Sequence, residues 1–113
     1  MDSTIQWEVL HPHTESPSDR MPCAREAPGC ILVYRDRLYM FGGGTLRYGR
    51  SAAQGNKANL GALNDLWRYD PETSSWELLE SDDGSTGFDP NAQRPCTRIL
   101  PAWVEVDDVF YLY

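Results

Sequence analysis

The chain has 113 residues and a formal net charge of −7, which is the size of one small domain and a poor electrostatic match for nucleic acid or an anionic membrane surface. Hydrophobic residues make up 41% and aromatic residues 12%, so a core is affordable only if it is small and built on aromatic side chains. Met1-Asp2-Ser3-Thr4 lacks the basic and apolar regions of a signal peptide, and no apolar run approaches the ~20 residues of a membrane helix, so a soluble, cytoplasmic protein is expected.

Ile5 to Leu10 alternates apolar and polar residues and predicts a half-buried strand. His11 to Gly29 carries Pro12, Pro17, Pro22 and Pro28 and predicts a loop. Cys30 to Tyr34 is an apolar run of strand length. Arg35-Asp36-Arg37 is a short turn without the Asn-Gly or Asp-Gly pair of the tightest hairpins. Leu38 to Phe41 is the next strand, ended by Gly42-Gly43-Gly44. Thr45 to Leu63 is long, rich in Gly, Ala, Asn and Gln, and weakly basic. Gly55 and Gly61 argue against a stable helix over Ala52 to Ala62, and an insert of this length is usually functional or disordered. Asn64 to Tyr69 predicts a third strand. Asp70-Pro71-Glu72-Thr73 follows as a turn in which proline presets φ and the aspartate bonds the backbone ahead. Ser75 to Leu79 is a fourth strand and Glu80 to Gln93 an acidic loop. Trp103 to Val106 and Val109 to Tyr113 are two further strands joined at Asp107-Asp108. No segment has a convincing helical period, so the chain is expected to be all-β with up to seven short strands.

The chain also repeats itself. Trp7-Glu8-Val9-Leu10 matches Trp76-Glu77-Leu78-Leu79 at an offset of 69 positions, Pro22-Cys23-Ala24-Arg25 matches Pro95-Cys96-Thr97-Arg98 at 73, and Val33 to Phe41 resembles Glu105 to Tyr113 at 72. Pro28 falls opposite Pro101. Loops of slightly different length account for the drift. Within one repeat, the strand and glycines of Leu38 to Gly44 are followed by Leu66-Trp67-Arg68-Tyr69-Asp70 and then by Trp76. This order of strand, paired glycines, tyrosine and tryptophan resembles a kelch repeat, one blade of a β-propeller. The period exceeds the ~50 residues usual for kelch, and the excess fits in the two long loops. The resemblance implies an all-β, partial kelch-type propeller with one complete four-stranded antiparallel blade and flanking strands of adjacent blades. Residues 1–29 would hold the last strand of a preceding blade and a Pro-rich loop, residues 30–80 the complete blade with its insert at 45–63, and residues 81–113 the acidic loop and the first two strands of the next blade.

Tyr113 aligns with Phe41, so a glycine pair is expected to follow it in a complete repeat, and the chain is read as a fragment of a longer propeller. Repeats bury their apolar faces on neighbours and normally need about three for stability. Unpaired blade edges also leave self-association open.

In a four-stranded meander, alternate connections lie at opposite ends. The short turns at 35–37 and 70–73 share one end, and the three long loops, 11–29, 45–63 and 80–93, share the other. Long loops on a rigid scaffold are where binding usually sits, and kelch propellers commonly bind protein partners through such loops. Arg47, Tyr48, Arg50 and Lys57 are the candidate contacts, since Arg and Tyr are favoured at interface hot spots. The alternative is that they only keep the loop soluble. What the resemblance implies for Gly42, Gly43, Tyr69, Trp76 and the earlier Trp7 is structural. The glycines permit unusual φ/ψ at a strand end, and the aromatic residues are buried between neighbouring blades.

Little points to catalysis. Gly42-Gly43-Gly44 lacks the Gly-Lys-Ser/Thr ending and the helix of a phosphate loop. His11 and His13, around Pro12, could hold a stray metal but are more simply solvated loop residues, and no cofactor is expected. Asp82-Asp83 and Asp107-Asp108 are adjacent carboxylates in turns, better explained by solvation and turn chemistry than by acid–base work. Cys23, Cys30 and Cys96 are an odd number with no Cys-x-x-Cys pair, which favours free thiols in a reducing compartment over a zinc site. The expected function is a non-enzymatic protein-interaction module, a scaffold or adaptor whose partner is a protein of unknown identity, with no nucleic acid or membrane partner. Two alternatives are a fragment of a galactose-oxidase-like propeller enzyme with its catalytic residues outside this chain, and a truncated product with no independent function.

Overall fold

A computed structural model of the chain describes residues 5–11, 20–26, 31–45, 61–85 and 89–113. Within them the architecture is all-β. The main sheet contains β1 (Leu32–Tyr34), β2 (Arg37–Phe41), β5 (Leu66–Asp70) and β6 (Ser75–Glu80), ordered β1-β2-β5-β6. Every neighbouring pair is antiparallel, as in a propeller blade. β3 (Gly44–Thr45) pairs with β4 (Gly61–Ala62), and β7 (Trp103–Val106) pairs with β8 (Val109–Leu112). The sheets are open, not closed into a ring.

The two central strands carry the core. Successive side chains of a strand point to opposite faces, so Leu38 and Met40 share one face with their β5 partners Tyr69 and Trp67, followed by Trp76 and Leu78 of β6. Tyr39 and Phe41 share the other face with Arg68 and Leu66. Tyr39, Met40 and Phe41 are all buried, which means β2 is covered on both sides. That explains why its sequence is a continuous apolar run and not an alternating one.

The β7–β8 hairpin lies on the Tyr39 face. The Phe110 ring sits edge-on to Tyr34 at 5.1 Å and to Tyr39 at 5.0 Å, and Phe41 lies 6.5 Å from Trp103. At the turn end, the Tyr34 hydroxyl donates to Asp108 Oδ1 at 2.6 Å, and Arg35 lies 3.3 Å from the same oxygen. This hydrogen bond raises the Tyr34 pKa and, together with the Arg35 charge, lowers that of Asp108. The outer hairpin face, with Val104, Val106 and Tyr111, is exposed.

Both hairpin turns are tighter than their residues suggest. Arg35 and Asp36 have φ of 47° and 60°, and Asp107 and Asp108 have 51° and 65°. Two consecutive positive φ values mark the turn that matches strand twist, here formed without glycine. Asp70 accepts the Glu72 N–H at 2.9 Å, the bond expected of an aspartate opening this turn. The sequence reading differs from the structure in three elements. β3 and β4 are too short to leave a period in the sequence. Residues 5–10 form no strand, and Trp7, expected to be buried between blades, is 94% exposed. Among the described residues no strand pairs with this segment.

Candidate functional site

The end of the main sheet opposite its tight turns is built on three glycines. β2 stops at Phe41, and Gly42 and Gly43 turn the chain with φ of 69° and 97°. A Cβ at Gly42 would lie 2.8 Å from the Arg98 carbonyl oxygen and 3.0 Å from that of Leu63, so a side chain is excluded on both conformational and steric grounds. The space is taken up by other chain segments. Gly42 N–H donates to Asp65 O at 3.0 Å, Gly43 N–H to Arg98 O at 3.1 Å, and Leu63 N–H to Gly43 O at 2.9 Å. Gly44 exchanges two bonds with Glu26, of 2.8 and 2.9 Å. Segments from all three long connections, at 25–26, 63–65 and 98, therefore meet on one glycine run.

A buried ion pair locks this junction. Arg25 and Asp65 have side chains only 5% and 9% exposed. The guanidinium grips both carboxylate oxygens, at 2.6 and 2.9 Å, and also donates to Gly42 O at 3.0 Å and Cys23 O at 3.2 Å. Trp67 Nε1 donates to Asp65 Oδ2 at 2.7 Å. Such a pair offsets its desolvation only when the geometry is bidentate and the remaining donors are satisfied, as here.

A second clamp lies next to it. Asn64 is fully buried. Its backbone N–H donates to Asp82 Oδ1 at 2.9 Å, and its amide donates to Asp83 Oδ1 at 2.6 Å and Pro95 O at 3.0 Å. Its own oxygen accepts the Asp83 N–H at 3.0 Å, while Arg94 donates to its carbonyl at 2.5 Å. Asp83 also accepts the Ser85 N–H at 2.9 Å. The hydrogen bonds from Ser85 and then from Asn64 lower its pKa to about 2. Asp82-Asp83, expected to serve solvation and turn chemistry, thus ties the acidic loop to the head of β5.

The predicted site residues are placed unevenly. Gly42 and Gly43 lie at the centre of the junction. Tyr69 is buried and Trp76 half-buried, with ring centroids 4.9 Å apart. His11 meets Tyr69 edge-on at 6.0 Å. Arg47, Tyr48, Arg50 and Lys57 lie outside the described residues, as does His13. Sequence reasoning missed Arg25, Asn64, Asp65 and Arg94 as residues of this site. The usable signal was the recurrence of Pro-Cys-x-Arg at residues 22–25 and 95–98, because an arginine repeated in register needs a repeated role. Chemically, this end is a rigid base. Arg25 and Asp65 saturate one another, leaving neither poised for proton transfer or nucleophilic work.

A family model described as "Kelch motif" matches residues 27–83, about half of the chain and the whole of the β1-β2-β5-β6 sheet. No curated protein and no solved structure shows a match to the chain. No helix among the described residues is long and apolar enough to cross a membrane.

Proposed function

The chain belongs to the kelch-motif family, and from that premise we propose that it is a protein-interaction module, a scaffold or adaptor element that binds a protein partner through the long loops at its glycine end. The observation that carries this reading is the convergence of residues 25–26, 63–65 and 98 on Gly42–Gly44, which anchors three long connections at one end of the sheet. β3 and β4, paired through Gly44–Ala62 and Thr45–Gly61, bracket residues 46–60 in the sequence. Arg47, Tyr48, Arg50 and Lys57 belong to that segment and are the proposed contacts.

The module is proposed to be non-catalytic and cytoplasmic. The free thiols of Cys23 and Cys96 suit a reducing compartment. The test is capture of partners from a cell extract by the natural protein, compared with an Arg47→Ala/Tyr48→Ala/Arg50→Ala variant and with a control changed at the opposite end, Glu72→Ala/Thr73→Ala. Capture lost by the first variant and kept by the second supports the loop face. Equal capture by all three would overturn it.

A further inference from the structure

Asp83 is the only Asp or Asn in the chain that is followed by glycine. Glycine has no Cβ to hinder the approach of its nitrogen to the carboxyl carbon of the residue before it. Between such a pair a five-membered ring can close. The bond from Gly84 N to Asp83 Cγ forms, the Gly84 proton and the side-chain hydroxyl leave together as water, and a succinimide results. Water then reopens the ring. Addition at Cγ restores aspartate. Addition at the main-chain carbonyl gives isoaspartate, in which the chain runs through Cγ and a free carboxylate is left on Cα. One water is lost and one regained, with no redox change.

The folded chain opposes each requirement of this reaction. The ring closes on the neutral carboxyl, because a carboxylate has no leaving group. The Ser85 N–H and the Asn64 amide both donate to Asp83 Oδ1, at 2.9 and 2.6 Å, and these bonds lower the Asp83 pKa to about 2. The carboxyl must also turn toward Gly84 N, and the same two bonds fix it. The backbone on either side is held as well. Asp83 N–H donates to Asn64 Oδ1 at 3.0 Å, and Gly84 is buried with φ of 67°. The Asp83 side chain is nevertheless 41% exposed, so water reaches it once the clamp opens.

We propose that Asp83-Gly84 is a site of isoaspartate formation gated by Asn64, and that the isomer frees the 82–85 segment from the head of β5. Isomerisation lengthens the main chain by one carbon and turns the Asp83 side-chain carbonyl into a peptide carbonyl. The bonds on either side depend on the native spacing. Asp82 Oδ1 accepts the Asn64 N–H at 2.9 Å, and Ser85 O accepts the Thr97 N–H at 2.7 Å. Thr97 adjoins Arg98, whose carbonyl receives the Gly43 N–H, so the loosening passes to the glycine junction. The proposal does not depend on the loop-face reading.

The test stores the natural protein, an Asn64→Ala variant and a synthetic peptide of residues 80–87 side by side in neutral buffer. Isoaspartate at residue 83 is read by electron-transfer mass spectrometry. The peptide should accumulate it readily. The natural protein should form the same isomer at least about tenfold more slowly, because the ring closes only from the open state and one charge-assisted bond is usually worth that factor. Asn64→Ala should approach the peptide's rate while amides of β2 and β5 keep their protection from exchange. The isomer, separated chromatographically from stored natural protein, should show faster amide exchange at Asn64, Ser85 and Thr97 than the unstored protein. The comparison with the peptide and the measurement on the separated isomer both use the natural chain, so they decide the matter even if Asn64→Ala fails to fold. Equal rates in protein and peptide, absence of the isomer from the natural protein after prolonged storage, or an isomer with unchanged protection at Ser85 and Thr97 would each overturn the proposal.

Discussion

Asp65 holds three donors on two oxygens while almost wholly buried, so its charge cannot be removed cheaply. Asp65→Asn leaves the Arg25 guanidinium buried without a counter-charge, and chemical denaturation should show a loss of about 3–5 kcal/mol. Gly42→Ala acts by another route. The left-handed conformation alone costs a side chain about 1–2 kcal/mol, and the new Cβ meets two backbone carbonyls that cannot rotate away. The total loss should be at least ~2 kcal/mol, and the segment at 95–98 should lose protection from hydrogen exchange first. Asp83 adds a pH dependence. Its folded pKa of about 2 lies below the ordinary aspartate value of about 3.9. The folded state therefore binds fewer protons, and the contribution is fully present above the ordinary value. It is lost as pH falls toward about 2. Acid unfolding of Asp83→Asn should be correspondingly less steep between those values, and carbon-detected titration of the Asp83 carboxyl should give its low midpoint directly.

At the scale of elements, the turn at Arg35-Asp36 puts two side chains at positive φ, where glycine is at ease and other residues are strained. Asp36→Gly relieves the left-handed strain, about 1–2 kcal/mol, but adds about 0.4–1 kcal/mol of unfolded-chain entropy, so the β1–β2 hairpin should gain a net stabilisation read as a raised melting temperature, whereas the same change at Asp108 should be offset by loss of the Tyr34 and Arg35 contacts. This turn also shows how far the elements were legible. Apolar runs, alternation and turn residues located the four blade strands and both hairpins, because a strand covered on both faces reads as a run and a half-covered one as alternation. The conformation of the Arg35-Asp36 turn was hidden because strand twist, not residue type, selects it. Residues 5–10 carry the same alternation as a true strand, but alternation reports a readiness to pair, and pairing needs a neighbour. The junction was least legible of all. Arg25 and Asp65 are 40 positions apart, and only the repetition of Pro-Cys-x-Arg, read as chemistry and not merely as homology, hints at a shared contact.

At the scale of the whole molecule, the blade and the hairpin meet through a few rings. Phe110 touches Tyr34, Tyr39 and Trp103, and the glycine junction ties the intervening segment at Arg98. Repeat units draw stability from such neighbour interfaces more than from their own cores, so the hairpin should be the first part to open. Phe110→Ala removes the central ring of the interface. Because the ring is only half-buried, the cost should be about 2–3 kcal/mol, below that of a fully buried phenylalanine. The loss should be unequal in space. Amides of β7 and β8 should exchange much faster in the variant, while those of β2 and β5, held by the Arg25–Asp65 pair, should keep most of their protection. A uniform loss across both sheets would mean that blade and hairpin unfold as one unit, and the interface would then have to be counted as part of the blade's own core.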